Sequence, residues 1–203
     1  MTMQAMECGA DPSLQVAPYY NKPTQEGFYR HFTAIADKAD IPIVVYNIPG
    51  RSGKNIENET MLRLAEHPNI IGVKEASGNL GQMMDLILRK NDDFAVLSGD
   101  DNLAYPLTCL GGKGVVSVAS NCIPKRMMEM IEAGLKGELE KGRTIHYDLL
   151  PFFKSLFIET NPIPIKYAMH LMGMTEESYR LPLCSMSDEY KKTFQKIFKK
   201  QKK

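Results

Sequence analysis

The stretch IIGVKE at residues 70–75 decides the fold of this chain. Apolar and β-branched residues occupy consecutive positions before Lys74, which is typical of a strand buried on both faces of a parallel sheet. Similar apolar runs lie at residues 14–17, 41–46, 94–98 and 114–118. Stretches with apolar residues at helical spacing separate these runs, so the first half of the chain predicts the repeated βα units of an α/β protein.

Two sheet architectures can be built from repeated βα units, an open doubly wound sheet and a closed (β/α)8 barrel. The chain has neither the GxGxxG signature of a dinucleotide-binding sheet nor the GxxxxGK[ST] signature of a P-loop. Polar residues follow several predicted strands, at positions that a barrel gathers on one rim. These residues are Tyr19, Tyr20, Asn21, Tyr46, Asn47, Arg51, Lys74, Glu75, Asp100, Asp101, Ser120 and Asn121. The barrel is therefore favoured, and the open sheet is the alternative.

The strand signal stops near residue 123, after about five βα units, and helix-like segments follow. We therefore predict a partial (β/α) barrel over residues 1–137 and a C-terminal helical region over residues 138–203. We predict a helix at the basic end of this region, with its lysines in solvent, rather than a site for an anionic partner.

Composition excludes several classes of protein. The 203 residues include 25 Lys and Arg against 24 Asp and Glu, so charge gives no reason to expect nucleic acid or an anionic membrane as the main partner. No apolar run approaches the roughly 20 residues that cross a bilayer, and the first residues do not resemble a signal peptide. The four cysteines are far apart, which indicates reduced thiols of a cytoplasmic protein rather than disulfides or a zinc site.

Lys74 is the strongest candidate for a catalytic residue. It falls at the C-terminal end of a buried strand, where partial desolvation lowers the pKa of an amine and frees its lone pair. Such an amine can attack a carbonyl and form a Schiff base. The alternative is a structural lysine that reaches toward solvent or pairs with Glu75.

Tyr46 and Arg51 are expected to stand beside Lys74. Tyr46 ends the preceding strand, so its phenol can relay protons at the lysine nitrogen; the alternative is a packing role. Arg51 follows a Pro49-Gly50 turn and can bind a carboxylate with two parallel hydrogen bonds, unless it is an ordinary surface arginine.

Three further features are weaker. The adjacent Tyr19 and Tyr20 indicate a residue that reaches a site or another subunit, with a simple oligomer contact as the competing interpretation. Gly99 lets the backbone approach a ligand, or only makes a turn. Asp100 and Asp101 form at most half a metal site, the histidines are scattered, and no GxSxG elbow is present, so we predict neither a metal centre nor a serine hydrolase.

Several motifs resemble the dihydrodipicolinate synthase family in order and spacing. They are PYYNKP at 18–23, YNIPGRSG at 46–53, IGVKEASGN at 71–79, LSGDD at 97–101 and NPIPIK at 161–166. The resemblance implies a (β/α)8 barrel of the class I aldolase type with a C-terminal helical region. It also implies a cofactor-free lyase of lysine and diaminopimelate biosynthesis that joins pyruvate to aspartate semialdehyde.

The resemblance assigns a role to individual residues. Lys74 forms the Schiff base with pyruvate, Tyr46 transfers protons, and Tyr20 is the tyrosine lent across a dimer interface. Arg51 holds the carboxylate of the semialdehyde. The remaining implied positions are Gly99 and Val116 in the pyruvate pocket and Tyr19 near a regulatory lysine site. The family is commonly a dimer of dimers, which makes a homo-oligomer the expected assembly.

Two questions stay open within the resemblance: which enzymes of the superfamily the chain resembles most, and whether the chain is active by itself. The sialic acid lyases share the lysine and the tyrosine, but the Pro-Gly-Arg loop favours the synthases. The family barrel has eight strands, so we expect three more strands and a Gly-Thr-Thr-Gly-Glu motif before Met1. The chain is then an inactive fragment, an enzyme completed by an upstream segment or another chain, or a non-catalytic interaction protein.

Overall fold

In the computed structural model, which describes residues 1–202, the strands form one five-stranded parallel sheet. The strands are β1 (Ser13–Val16), β2 (Ile43–Asn47), β3 (Ile70–Glu75), β4 (Ala95–Ser98) and β5 (Gly114–Val115). Their order in the sheet follows their order in the chain. A doubly wound sheet reverses its strand order at a switch point, whereas a barrel adds each strand beside the last. The order of the described strands therefore fits the predicted barrel.

Helices lie before, between and after the strands. They are α1 (Thr2–Glu7), α2 (Gln25–Ala36), α3 (Pro49–Ser52), α4 (Asn58–Ala65), α5 (Leu80–Arg89), α6 (Asp101–Cys109), α7 (Pro124–Leu135), α8 (Leu139–Ser155), α9 (Ile163–Leu171) and α10 (Asp188–Phe198). Side-chain caps fix three of the starts: Thr24 accepts a hydrogen bond from the Gly27 amide, Asn79 accepts one from the Gln82 amide, and Ser187 accepts one from the Tyr190 amide. Each cap satisfies a backbone donor that has no partner inside the helix.

Side chains alternate between the two faces of the sheet, as strand geometry requires. Ile43, Val45, Val73 and Val96 are fully buried and belong to one apolar cluster with residues of the flanking helices. The residues between them along the strands are only partly buried, and Val16 on β1 is 45% exposed. One face of the sheet is thus the core of this part of the chain, and the other face is open.

The chain divides into two compact units, one from Met1 to Val116 and one from Ser117 onward. In the second unit, the rings of Phe152 and Phe198 stack 5.6 Å apart and join α8 to α10. The division that we predict between residues 137 and 138 stays a prediction. Its C-terminal end, Lys203, lies outside the described residues. Within residues 1–202, no helix is long and apolar enough to cross a membrane.

A glycine in the centre of β3 gives a test of this packing. A Cβ on Gly72 would lie 2.6 Å from the backbone oxygen of Ala95 on β4. We expect Gly72→Ala to lower the free energy of unfolding by about 1–3 kcal/mol, because the strands must move apart. Gly50→Ala is the matched control, since a Cβ there meets nothing within 4 Å. Urea denaturation measures both, and equal stability of the two variants would contradict the close approach of β3 and β4.

Candidate active site

The register of β2 and β3 brings two predicted site residues together. Tyr46 lies directly opposite Lys74 in the parallel pairing of these strands. The Lys74 Nζ lies 3.9 Å from the centroid of the Tyr46 ring. Both side chains are half-buried and lie at the carboxyl ends of their strands. A carbonyl compound that reacts with the amine would therefore lie next to the ring of Tyr46.

Burial sets the protonation of both groups. It lowers the pKa of Lys74, while the charges of Asp100 and Asp101 act in the opposite direction. It raises the pKa of Tyr46; the Arg51 charge lowers that pKa and the Asp100 charge raises it further. Lys74 therefore has more neutral amine than an exposed lysine at the same pH, and Tyr46 keeps its proton near neutral pH.

Gly99 lies against the stem of the lysine. Its amide donates a 2.7 Å hydrogen bond to the Glu75 carbonyl. A Cβ at this position would lie 2.6 Å from the Ala76 Cβ and 3.1 Å from the Lys74 Cε. The sequence predicts a close approach of backbone to ligand here. The structure adds that the same residue must be small, first because of Ala76 and then because Lys74 passes beside it.

The other predicted site residues lie further out. Arg51 is exposed on α3, yet its charge acts on Tyr46. Val116 is also exposed, and its amide donates a 2.9 Å hydrogen bond to the Ser98 carbonyl. Tyr19 and Tyr20 are 67% and 87% exposed, and the structure brings neither into contact with Lys74. Of the predicted site residues, Tyr46 contacts the Lys74 amine with its ring, and the backbone of Gly99 lies close to the Lys74 side chain.

The backbone at Tyr20 is strained. Its φ of 68° lies in the left-handed region, which costs a residue other than glycine about 1–3 kcal/mol. Such strain is found where a side chain must be held in one direction. An exposed tyrosine held in this way is suited to contact another chain.

Glu75 is a functional candidate that the sequence indicates only as the structural partner of Lys74 in the alternative interpretation. Neighbouring residues of a strand point to opposite faces, and Glu75 lies on the buried one. Its carboxylate accepts hydrogen bonds from the Ser77 amide and from the side chains of Asn47 and Gln82. Burial raises the pKa of Glu75 by more than these hydrogen bonds lower it. Strand alternation was the signal that could have excluded the pair.

The two adjacent aspartates show no sign of a metal centre. Within the described residues, 1–202, no group of three or more potential ligand side chains comes together. Asp100 instead acts on Lys74 as a charge. Its pKa is raised by burial and by Asp101, and lowered by Lys74.

The charge of Asp100 gives a pH-dependent test of the site. Because Asp100 raises the pKa of Lys74, we expect Asp100→Asn to lower that pKa further. The Asp100 side chain makes no capping hydrogen bond to α6, so the substitution removes mainly the charge. Competitive acetylation of the lysines across pH 6 to 11 measures the pKa, with the exposed Asp93→Asn as control. An unchanged or raised pKa of Lys74 would contradict this electrostatic account.

Comparison with known proteins identifies the arrangement. The sequence profile of the dihydrodipicolinate synthetase family matches residues 1–201. The 4-hydroxy-tetrahydrodipicolinate synthase of Thermodesulfovibrio yellowstonii is 50% identical over 199 residues, which are 98% of this chain and 68% of that relative. The crystal structure of dihydrodipicolinate synthase from Aquifex aeolicus shares 47% identity and a TM-score of 0.97, covering 99% of this chain and 69% of its own. The chloride-inhibited synthase from Acinetobacter baumannii, solved in complex with pyruvate, shares 41% identity and a TM-score of 0.97 over the same shares, 99% and 69%.

These comparisons confirm the predicted architecture and the resemblance that the motifs carry. The five-stranded sheet and the C-terminal helices match part of the barrel of the solved synthases. The chain spans about two-thirds of the length of the relatives that it matches. The profile and the identities show that this chain belongs to the dihydrodipicolinate synthetase family.

Proposed function

We propose that this chain carries the reaction of the 4-hydroxy-tetrahydrodipicolinate synthases, in which pyruvate condenses with aspartate semialdehyde. The relatives are named as synthases of this kind, so the family is one of enzymes. One observation in the chain itself carries the proposal: the half-buried amine of Lys74 lies 3.9 Å from the centre of the Tyr46 ring. A lysine with a lowered pKa beside a phenol provides the amine nucleophile and the proton donor that Schiff-base catalysis needs.

The first half of the reaction uses Lys74 and Tyr46. The neutral amine attacks the keto carbon of pyruvate and gives a carbinolamine. Tyr46 donates a proton to the hydroxyl group, which leaves as water, and the iminium of the Schiff base forms. Loss of a proton from the methyl group converts the iminium to an enamine. The proton that Tyr46 gave up is then regained, so the phenol acts as a relay.

The second half joins the two substrates. The enamine carbon attacks the aldehyde carbon of the semialdehyde, whose oxygen takes up a proton and becomes the hydroxyl group, and the iminium on Lys74 forms again. The amino group of the semialdehyde then attacks the iminium carbon, so that the ring closes and Lys74 leaves as the free amine. In this proposal Arg51 binds the carboxylate of the semialdehyde, because a guanidinium forks onto a carboxylate. Gly99 and Val116 line the pyruvate pocket at the ends of β4 and β5.

Tyr20 and Tyr19 act at a contact between subunits in this proposal. Their high exposure and the strained backbone of Tyr20 support a homo-oligomer in which Tyr20 reaches a neighbouring active site and Tyr19 lies near a regulatory site. We place the protein in the cytoplasm, since its four cysteines are far apart in the sequence, as expected for reduced thiols.

Borohydride trapping tests the proposed function. Pyruvate and borohydride should add one reduced pyruvate to the chain, and peptide mass spectrometry should place it on Lys74. Lys74→Arg should abolish the adduct, because a guanidinium stays protonated. Lys113→Arg, at an exposed lysine, is the matched control and should trap as the unaltered chain does. An adduct that survives in Lys74→Arg, or no adduct in the unaltered chain, would overturn the proposal.

The same experiment extends to the second substrate. Aspartate semialdehyde added to the preformed adduct before the borohydride should lower the trapped yield, since the enamine is consumed. Arg51→Gln should trap pyruvate normally but lose most of this discharge, because the carboxylate of the semialdehyde is no longer held. Equal discharge in both chains would remove Arg51 from the mechanism.

A further inference from the structure

A buried carboxylate that the proposed reaction does not use lies next to Lys74 in the sequence. Glu75 is 1% exposed, and its side chain lies on the face of β3 opposite to the reactive amine. Its Oε1 accepts a 2.7 Å hydrogen bond from the Ser77 amide. Its Oε2 accepts hydrogen bonds of 2.9 Å from Asn47 Nδ2 and 3.4 Å from Gln82 Nε2. A buried carboxylate with this many donors is a fixed point in the structure.

Asn47 connects this fixed point to the segment that carries Arg51. Its Oδ1 accepts a 3.1 Å hydrogen bond from the Ile56 amide, and its Nδ2 also donates to Asn55 Oδ1 at 2.9 Å. Residues 48–54 lie between these positions. The Asn47 side chain therefore fastens the far end of this loop, at Asn55 and Ile56, to the end of β2. Glu75 in turn fixes the Asn47 side chain by a hydrogen bond.

The directions of the hydrogen bonds in this network follow from its two ends, since Glu75 accepts at one end and the Ile56 amide donates at the other. A carboxylate only accepts and a backbone amide only donates, so the Asn47 amide group has one orientation that satisfies both neighbours. Asn55 must then present its oxygen to Asn47 and its Nδ2 to Gln82 Oε1, at 3.0 Å. Gln82 is left with its Nε2, which donates to the Ile56 carbonyl at 3.3 Å and to Asn55 Oδ1 and Glu75 at 3.4 Å. If a neutral amide replaced the carboxylate, its NH2 group would face another hydrogen-bond donor at one of these contacts.

We propose that Glu75 is a positioning residue: its carboxylate, acting through Asn47, fixes the loop of residues 48–56 and thereby the position of Arg51. The consequence for the second substrate rests on the proposed function, because it needs Arg51 to bind a carboxylate. The tether itself rests only on the hydrogen bonds.

Amide hydrogen exchange tests the tether in the chain without any substrate. The reporters are the Arg51, Ser52, Gly53 and Ile56 amides, all of which are hydrogen-bonded within the loop or to Asn47. We expect Glu75→Gln to accelerate their exchange at least about tenfold while β3 and β4 keep their protection. Glu66→Gln, at an exposed glutamate, is the control for loss of charge. Val73→Ala, at a fully buried core position, is the control for general destabilisation and should accelerate exchange throughout the sheet.

A second substitution distinguishes the hydrogen-bond network from mere filling of space. Adding Asn47→Asp to Glu75→Gln moves the carboxylate to the other side of the contact, where it can accept from Ile56, from the new glutamine and, once the Asn55 amide turns over, from Asn55 Nδ2. This double variant should restore slow exchange in the loop. If Glu75→Gln exchanges as the unaltered chain does, accelerates the sheet as much as the loop, or is not rescued, the proposal is overturned.

If Glu75→Gln does not fold, Asn55→Ala takes its place, because it removes one link outside the strands. Faster loop exchange with an unchanged sheet then supports the tether, and unchanged loop exchange overturns it. Since no arm of this experiment uses pyruvate or the semialdehyde, its failure is distinguishable from failure of the proposed function, which the borohydride adduct reports.

Discussion

The parallel register of β2 on β3 is the constraint on which the site depends. It sets Tyr46 opposite Lys74 and Asn47 opposite Glu75. A shift of one residue would turn each pair onto the wrong face of the sheet, because side chains alternate along a strand. The apolar residues directly before these positions prevent such a shift, because Val45 and Val73 are fully buried on the face of the sheet that the helices cover. The chemistry of the site is thus fixed by the burial of residues that take no part in it.

The two faces of these strand ends have different tasks. On the open face, partial burial lowers the pKa of Lys74 and raises that of Tyr46, which suits an amine nucleophile beside a proton donor. On the covered face, Glu75 and Asn47 form a polar network within an otherwise apolar core. A buried carboxylate is stable only when its oxygens are hydrogen-bonded, and here the donors come from the neighbouring strand, the following loop and α5. The reactive lysine and the structure that orders its surroundings are therefore one residue apart.

Much of this site could be predicted from the sequence, because the pattern of apolar runs locates the ends of the strands. Lys74 and Tyr46 end recognisable strands, and strand ends of parallel sheets meet at one edge, so their meeting follows from the pattern of apolar runs. The network of Glu75 could not be predicted, because its partners Asn55 and Gln82 come from a loop and a helix whose positions depend on long-range packing. The closeness of Gly99 to Lys74 is likewise a property of two strands. The exposure of Tyr19 and Tyr20 shows the same limit, since their proposed partners belong to another chain.

The central claim is that the pairing of Lys74 with Tyr46 makes this lysine the nucleophile for pyruvate. A crystal structure of the chain soaked with pyruvate, without reduction, tests it most directly. The account predicts continuous density between the keto carbon of pyruvate and the Lys74 Nζ, with the Tyr46 hydroxyl about 3 Å from the new bond. Pyruvate joined to a different lysine, or bound at this site with Lys74 turned away and unmodified, would contradict the account.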